Sequence, residues 1–374
     1  MAGMQAPRLA LFFTRGTSLR FWQHYAILAR ELALYRRLQE RGVSVTFVTY
    51  GDASDLAFAR MLPGIRILCN RWGLPSQRYE RWLPLLHGWY LWQTDVYKSN
   101  QTDGADVALR AARLWRKPMI ARCGYVWSEF MARQQGDDSA AAHHARTLEQ
   151  TVFTAAQRVV VTTAAMQQSV TQRFPDAAPR TTVIPNYVDT EHFQPNGAGS
   201  QDGQLIFVGR LSAQKNMASL LAAIEPLDVN LTVIGSGDLR EDLQRRFAGL
   251  DGRVRWRGYV PHPQVPTLLN QASLFVLPSH YEGHPKALLE AMACGLPVIG
   301  ADVPGIRDVI RHGENGWLCG PDPASLRAAI QELLARPQLR AELGRNARQH
   351  VLDHFALDRI VEMDLAVLRE AAAR

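Results

Sequence analysis

The sequence predicts an α/β protein with two doubly wound, parallel-sheet domains. Short runs rich in Val, Ile and Leu alternate with longer helical patterns in both halves, which is typical of parallel α/β architecture. A non-periodic stretch rich in Pro, Gly and Asn separates the halves. The length of 374 residues suggests two or three domains of roughly 100–200 residues each. The apolar content of 47% excludes a largely disordered chain.

The first domain is predicted over residues 1–190. A helical pattern over about residues 21–40 follows the first strand and ends at Gly42. Six strand candidates share a short apolar character: Leu9–Phe13, Val43–Thr49, Ile65–Leu68, Val96–Ser99, Pro118–Arg122 and Val159–Thr162. The first is too short for a signal-peptide core and no cleavage-like sequence follows it, so we interpret it as a strand.

The second domain is predicted over residues 191–350. A linker runs from Ile184 to Phe193 and continues through the polar residues 194–203. Six strand candidates follow: Leu205–Val208, Leu231–Ile234, Val254–Arg257, Leu274–Leu277, Pro297–Gly300 and Gly316–Leu318. Residues 351–374 have helical spacing. Ligands of open α/β sheets bind at the carboxyl ends of the strands, so we expect the two domains to face each other across a binding cleft.

Charge and cysteine content restrict the function classes. The net charge is +7, and residues 1–190 carry 23 basic and 14 acidic residues. A basic half suits nucleic acid, an anionic membrane or a phosphorylated substrate, and the first is disfavoured because no nucleic-acid motif accompanies it. The four cysteines lie far apart without a C-x-x-C pair, which predicts free thiols in a reducing cytoplasm. No apolar run approaches the ~20 residues of a membrane-spanning helix.

Two cations follow the first strand of the second half. Gly209 lets the backbone approach a ligand closely, and Arg210 and Lys215 lie five residues apart around the turn. Arg supplies a planar fork and Lys a point charge, a combination that suits a diphosphate. Solvated surface cations are the alternative interpretation.

The segment 279–295 predicts a helix with an anion site at its start. Pro285 is placed to open the helix and Gly295 to end it, and the free N–H groups of the amino end favour phosphate oxygens. Glu282 before the helix and Glu290 in its second turn could bind ribose and sugar hydroxyls; helix capping and solvation are the alternative.

A metal site is disfavoured in this segment. His280 and His284 flank Glu282, but Gly283 and Pro285 break the helix that would align the two rings, so we expect no zinc. Two weaker signals lie where neighbouring strands end. Ile234–Asp238 is a truncated nucleotide-type glycine turn, and Val254–Val260 leads to a loop whose backbone could contact a nucleotide base.

In this order the motifs of the second half resemble those of the GT4-type retaining glycosyltransferases, which have the GT-B fold of two Rossmann-like domains. The resemblance is strong over about residues 145–350 and faint before residue 140. It also implies that the helix predicted over about residues 351–374 packs back onto the first domain. The matching pieces are Ile184–Asp189 with Phe193, Val208–Leu211 with Lys215-Asn216, Gly235–Gly237, Gly258–Val260, the E-x7-E pair Glu282 and Glu290, Ala291–Val298 and Gly313–Trp317.

The resemblance implies roles for individual residues. Arg210 and Lys215 would hold the donor diphosphate and stabilise the departing nucleotide without a metal ion, and Glu282 would contact the donor sugar. Glu290 would bind the ribose and the backbone at Val260 the base. The remaining donor-binding candidates are Gly16, Gly209, Gly235, Gly283, His284, Pro285, Lys286 and Ala287.

The first half departs from the family pattern. Relatives have a Gly-Gly turn after the first strand, whereas Thr14–Ser18 contains only Gly16. The histidine that relatives carry near the reacting sugar is absent from Ala121–Tyr125, where Arg122 could take its electrostatic part. Lys98, Arg122 and Tyr125 are the acceptor-side candidates.

Four of the nine tryptophans lie within 21 residues: Trp72, Trp82, Trp89 and Trp92. Three arginines lie among them: Arg71, Arg78 and Arg81. This composition suits an interfacial membrane segment or a pocket for a lipid-linked acceptor. A helix packed on the sheet with a wet arginine face is the alternative.

The resemblance implies a retaining glycosyltransferase that moves a hexose-type sugar from a UDP- or GDP-sugar to a carbohydrate or lipid-linked acceptor. Surface polysaccharide or glycolipid assembly is the expected setting, in the cytoplasm or peripherally on the inner face of the membrane. A nucleotide-sugar epimerase or hydrolase and a non-catalytic nucleotide-binding subunit are the alternatives. An NAD enzyme is disfavoured, because the full glycine fingerprint is missing.

Overall fold

The computed structural model describes residues 6–197 and 201–373. The chain forms two compact units: the first contains the residues up to Pro185 and those from Ile360 onward, and the second runs from Asn186 to Arg359. The sequence places the change of domain five residues later, after residue 190. None of the helices in the described ranges is long and apolar enough to cross a membrane.

The first unit contains a seven-stranded parallel sheet in the order β3-β2-β1-β4-β5-β6-β7. Its strands are β1 (Arg8–Phe12), β2 (Ser44–Asp52), β3 (Ile65–Asn70), β4 (Val96–Ser99), β5 (Met119–Cys123), β6 (Arg158–Val161) and β7 (Thr181–Val183). Six of these strands were predicted. The seventh strand, β7, was not predicted, because Thr181 and Thr182 interrupt any apolar run there.

Eight helices connect these strands: α1 (Leu19–His24), α2 (Leu28–Glu40), α3 (Ser76–Leu86), α4 (Gly88–Trp92), α5 (Ala105–Trp115), α6 (Trp127–Gln135), α7 (Ala140–Ala155) and α8 (Ala164–Arg173). The single helix predicted over residues 21–40 is wrong. The chain turns at Ala26, which has a left-handed φ of +56°. The break lets Trp22 of α1 stack on Phe13 at a ring distance of 4.1 Å, while α2 buries Leu28, Leu32 and Leu38.

The second unit contains a six-stranded parallel sheet in the order β10-β9-β8-β11-β12-β13. The strands are β8 (Gln204–Val208), β9 (Asn230–Ile234), β10 (Val254–Gly258), β11 (Leu274–Leu277), β12 (Val298–Ala301) and β13 (Trp317–Cys319). The helices are α9 (Met217–Ile224), α10 (Arg240–Arg246), α11 (Val265–Gln271), α12 (Lys286–Ala293), α13 (Pro323–Leu334) and α14 (Pro337–His354). All six strands were predicted. The central strands β9, β8 and β11 are apolar runs buried on both faces, as is typical of parallel sheets.

The strand order decides where a ligand site can form. In each sheet the order reverses once, between β1 and β4 in the first unit and between β8 and β11 in the second. Loops that leave neighbouring strands toward opposite faces open a crevice at such a switch point. In the second unit these loops are residues 209–216 and 278–285.

The continuous helix predicted from Val351 is divided in two. Helix α14 ends at His354 and α15 (Leu357–Ala372) follows. The reason is a backbone bridge, in which the N–H of Val188 donates to the carbonyl of Phe355 at 3.0 Å and the N–H of Leu357 donates to the carbonyl of Val188 at 3.0 Å. From Ile360 onward α15 belongs to the first unit.

Candidate active site

The two loops at the switch point of the second unit are hydrogen-bonded to each other. The backbone N–H of His280 donates to the carbonyl of Gln214 at 2.9 Å, and the side-chain amide of Gln214 donates to the carbonyl of Tyr281 at 2.8 Å. This pairing brings the predicted cation of one loop next to the predicted carboxylate of the other.

Lys215 and Glu282 form an ion pair. The Lys215 ammonium lies 2.5 Å from Oε1 of Glu282, and the Ser279 hydroxyl donates to the same oxygen at 2.7 Å. The side chains of Lys215 and Glu282 are only 18% and 7% exposed. Both residues were singled out from the sequence, but their direct pairing was not foreseen.

Arg210 has a different environment. Its side chain is exposed, and among the described residues no carboxylate pairs with its guanidinium. One loop therefore carries two cations, of which one is held by a carboxylate and the other is presented to solvent.

Asn216 fixes the end of this loop. It adopts a left-handed conformation with φ of +51°, and its side-chain amide donates to the carbonyls of Pro278 at 3.0 Å and Pro321 at 2.8 Å. These bonds tie the cation loop to the segments that follow β11 and β13. No local pattern in the sequence indicates this role of Asn216, because the partners lie 62 and 105 residues away.

Gly235 brings two strand ends into close contact. A Cβ atom at this position would lie 2.0 Å from the carbonyl oxygen of Gly209, and the φ of Gly235 is +125°. Its N–H donates to the carbonyl of Gly258 at 2.7 Å, and the N–H of Gly209 donates to the carbonyl of Ile234 at 2.9 Å. Two of the predicted donor-site glycines, Gly209 and Gly235, are therefore packed backbone to backbone.

Helix α12 begins beside the Glu282 loop. The helix starts at Lys286, so Pro285 is the residue before it and not its first residue as predicted; no side chain among the described residues caps this end. Free N–H groups at an uncapped amino end attract anions. The Lys286 ammonium lies 5.6 Å from the ring centre of Tyr187, and Gly283 and Ala287 are half-buried.

His284 points inward. Its Nδ1 accepts the backbone N–H of Asn186 at 3.3 Å, and its carbonyl accepts the Asn186 side-chain amide at 2.7 Å. The ring also packs 5.1 Å from Phe355. The imidazole therefore stabilises the chain at the start of the second unit.

Glu290 is held by a histidine that the sequence analysis missed. Nε2 of His262 lies 2.9 Å from Oε1 of Glu290, and both side chains are largely buried. The ring of Phe193 lies 4.9 Å from the His262 ring. Val260, the predicted base contact, lies two residues before His262 and is half-buried against the core. No local pattern marks His262, since its partner lies 28 residues away.

In the first unit the predicted glycine turn is anchored by Arg15. Gly16 has φ of +71°, and the neighbouring Arg15 guanidinium pairs with Asp106 at 2.5 Å, with Asp103 at 3.0 Å and with Glu80. Burial alone would lower the pKa of Arg15, but the carboxylates raise it above its ordinary value. No local pattern in the sequence marks Arg15, because its partners come from distant segments.

The acceptor-side candidates have unequal environments. The Arg122 guanidinium donates to the carbonyl of Asn100 at 3.1 Å, and the Tyr125 ring packs 5.3 Å from Phe130. Both residues are half-buried.

Lys98 corrects the sequence prediction. Its side chain is 1% exposed and pairs with Asp364 of α15, which is 3% exposed, so it lies in the interior instead of at the sheet edge. Burial lowers the pKa of the Lys98 ammonium although Asp364 opposes that change.

The cysteines are free thiols, as predicted. Burial raises the pKa of Cys69 to about 11 and the pKa values of Cys123, Cys294 and Cys319 to about 12. Thiols with pKa values this high remain protonated and weakly nucleophilic near neutral pH.

Two family models match consecutive parts of the chain. The model described as Glycosyltransferase Family 4 matches residues 32–192, and the model described as Glycosyl transferases group 1 matches residues 188–350. Their boundary falls within the linker that separates the two units. Between them the two models cover residues 32–350, which include every donor-site candidate except Gly16.

Among curated relatives, the chain is 29% identical to the D-inositol 3-phosphate glycosyltransferase of Geodermatophilus obscurus over 90% of this chain and 83% of that protein. It is 27% identical to the glycogen synthase of Mycobacterium tuberculosis over 71% of this chain. The match spans 66% of that synthase, just under two thirds of its length.

Two solved structures share the fold along nearly the whole chain. Sucrose-phosphate synthase from Thermosynechococcus elongatus has a TM-score of 0.81 at 22% identity, with 98% of this chain and 99% of that chain covered. HepE from Anabaena, solved with UDP and glucose, has a TM-score of 0.79 at 19% identity, with 97% and 100% covered.

Proposed function

The chain belongs to the glycosyltransferases of group 1 and family 4 and has the GT-B fold, and on that premise we propose that it is a retaining hexosyltransferase. The donor is a UDP- or GDP-sugar and the acceptor a carbohydrate or a lipid-linked sugar. The reaction serves surface polysaccharide or glycolipid assembly.

One observation carries this proposal: the Lys215–Glu282 pair lies at the switch point of the second sheet, on the same loop as the exposed Arg210. A diphosphate is bound by cations that converge on its oxygens. Arg210 has its full hydrogen-bonding capacity for phosphate oxygens, and the amino end of α12 adds oriented N–H groups. Lys215, fixed by Glu282, supplies a positioned point charge.

The proposed reaction proceeds on one face of the donor sugar. The acceptor hydroxyl oxygen forms a bond to the anomeric carbon while the bond from that carbon to the phosphate oxygen breaks. The bonding electrons leave with the nucleoside diphosphate, and the hydroxyl proton passes to the departing phosphate oxygen. Arg210 and Lys215 stabilise the charge that develops on this oxygen, so neither a metal ion nor a covalent glycosyl-enzyme is required.

Glu282 and Glu290 orient the donor in this proposal. Glu282 accepts hydrogen bonds from the hexose hydroxyls and Glu290 from the ribose, while the backbone at Val260 contacts the base. The first unit binds the acceptor, and Arg122 and Tyr125 are the candidate residues for that contact. HepE was solved with UDP and glucose, which supports a donor of this class.

The test is thermal stabilisation by UDP, GDP and ADP, each with and without EDTA. A nucleotide at a hundredfold its dissociation constant stabilises the native protein by about 2.7 kcal/mol, which shifts the melting temperature of a domain of this size by about 5–11 °C. We expect a selective shift that EDTA leaves unchanged and that Arg210→Ala abolishes. Arg345→Ala, an exposed arginine of α14, is the matched control.

Product analysis separates the proposal from its alternatives. A transferase releases nucleoside diphosphate from its nucleotide sugar only slowly until an acceptor is added. Rapid consumption of the donor without an acceptor would instead indicate an epimerase or hydrolase. Absence of any nucleotide-dependent stabilisation, together with no turnover of UDP- or GDP-sugars, would refute a donor site in the second unit.

A further inference from the structure

Exposed apolar side chains are concentrated in one segment of the first unit. Eight of the eleven large apolar side chains that are exposed in the described part of the chain lie between Leu56 and Trp92, and Trp89 is 70% exposed. Isolated exposed apolar residues are normal on a protein surface, but a concentration of them marks an interaction site.

Helix α3 carries two of these side chains, Trp82 and Leu85, on one exposed face. Arg78, Trp82 and Leu85 recur at helical spacing and are exposed, whereas Tyr79 and Leu83 on the other face are buried. Helix α4 continues the pattern, with the rings of Trp89 and Trp92 exposed and 6.3 Å apart. We call the exposed set Trp72, Trp82, Leu85, Trp89 and Trp92 the tryptophan surface.

A cavity of about 110 Å³ opens at the edge of the sheet beside this surface. It is lined by residues of β3, the edge strand, and by Arg66, Arg71, His87 and Tyr90. The Arg66 guanidinium lies 4.6 Å from the ring centre of Tyr90, and that of Arg71 lies 4.8 Å from the ring of Trp72. We call this feature the arginine cavity.

The segment carries uncompensated positive charge. Residues 65–92 include four arginines and a single acidic residue, Glu80, whose carboxylate pairs with Arg15 outside the segment. Within residues 6–197 and 201–373, no carboxylate pairs with the four arginines at positions 66, 71, 78 and 81. The surface is therefore both aromatic and cationic.

We propose that the tryptophan surface docks onto a lipid bilayer that contains anionic lipids, and that the arginine cavity receives a headgroup phosphate. Indole rings favour the interface between headgroups and acyl chains. Arginines near an anionic surface strengthen binding by about fivefold each, and guanidinium groups bind phosphate oxygens in a planar fork. Charge complementarity favours this occupant over an apolar protein face. The proposal does not depend on the transferase reaction.

Flotation of the full chain with lipid vesicles tests this proposal. We expect binding to vesicles of phosphatidylcholine mixed with phosphatidylglycerol, weak binding to phosphatidylcholine alone, and weakening by added salt. The double variant Arg66→Gln/Arg71→Gln should bind about 25-fold more weakly. The triple variant Trp82→Ser/Trp89→Ser/Trp92→Ser should lose binding, and the blue shift of tryptophan emission on vesicle addition should disappear with it.

The matched control removes an arginine and an exposed leucine elsewhere, as Arg345→Gln/Leu352→Ser in α14, and should bind vesicles like the original protein. Because every replaced side chain is exposed, we expect all variants to fold. Unchanged melting temperatures will show that they do.

Three results would overturn the proposal. The protein could fail to float with anionic vesicles, or the variants could bind as well as the original chain. A dimer in sedimentation velocity that the triple variant dissociates, without any vesicle binding, would instead identify the tryptophan surface as a contact between copies of this chain.

Discussion

Arg210 and Lys215 lie on the same loop and are both proposed to hold the donor. Replacing them should nevertheless affect the stability of the protein differently. Lys215→Met removes the partner of a largely buried carboxylate, while Arg210→Ala removes a side chain that is exposed and unpaired among the described residues. The structure therefore predicts a loss of stability for the first variant only, and a loss of activity for both.

The size of the effect follows from burial. Removal of one partner of a fully buried ion pair costs about 3–5 kcal/mol. Because Lys215 is 18% exposed and the Ser279 hydroxyl still donates to Glu282, we expect about 2–3 kcal/mol. At about 2–4 °C per kcal/mol for a unit of this size, the melting temperature falls by about 4–12 °C. Arg210→Ala should stay within about 0.5 kcal/mol.

The assay pairs ligand-free thermal melts with initial rates of nucleotide release. Both single variants should lose about 10²–10³-fold in rate, which is typical of the loss of one electrostatic contact to a departing group. The double variant Lys215→Met/Glu282→Gln should recover most of the stability and none of the activity. The reasoning fails if Lys215→Met melts like the original protein, or if Arg210→Ala is as unstable as Lys215→Met.

Three further predictions concern other parts of the two units. Gly235→Ala should abolish nucleotide-dependent stabilisation, because its Cβ would lie 2.0 Å from a carbonyl oxygen, whereas Gly249→Ala, with open space around it, should bind nucleotide normally. Lys98→Met should lower the stability of the first unit by about 3–5 kcal/mol, because it leaves Asp364 buried without a counter-charge; in chemical denaturation, Lys98→Met/Asp364→Leu should regain most of the loss. Burial lowers the pKa of His87 from 6.5 to about 4. The unfolded chain therefore binds more protons between these values, and stability should fall as the pH drops from 6.5 to 4, by up to about 1.4 kcal/mol per unit.

Each of these predictions has an outcome that would contradict it. Nucleotide binding by the Gly235 variant would mean that the two strand ends can separate without harm. A mild effect of Lys98→Met would mean that water reaches Asp364. For the histidine, His87→Gln should flatten the acid limb of the stability profile, whereas His143→Gln, at an exposed position, should leave it unchanged; identical profiles for the two variants would contradict the assignment.

The fold could be predicted from the sequence because its signals are local. Twelve of the thirteen strands were predicted, most of them as short apolar runs. The helix break at Ala26 was missed, since a left-handed alanine leaves no mark in the composition. Short-range motifs also located the cation loop and the two glutamates.

Pairings between distant segments could not be predicted. Lys98 resembles a strand-end cation in the sequence, and only the fold brings Asp364, 266 residues away, next to it. The same holds for His262 beside Glu290 and for the three carboxylates around Arg15. Each of these contacts depends on the order of strands in the sheet, which no local pattern encodes.

The return of the last helix to the first unit has a consequence during synthesis. Lys98 lies inside a sheet whose strands are complete by Val183, but its partner Asp364 is made only after the whole second unit, Asn186–Arg359. At about 5–20 residues per second, the intervening ~180 residues take roughly 10–40 s to translate. For that time the nascent first unit holds a buried ammonium without a counter-ion, so it should stay partly open and accessible to chaperones until Asp364 has emerged from the ribosome.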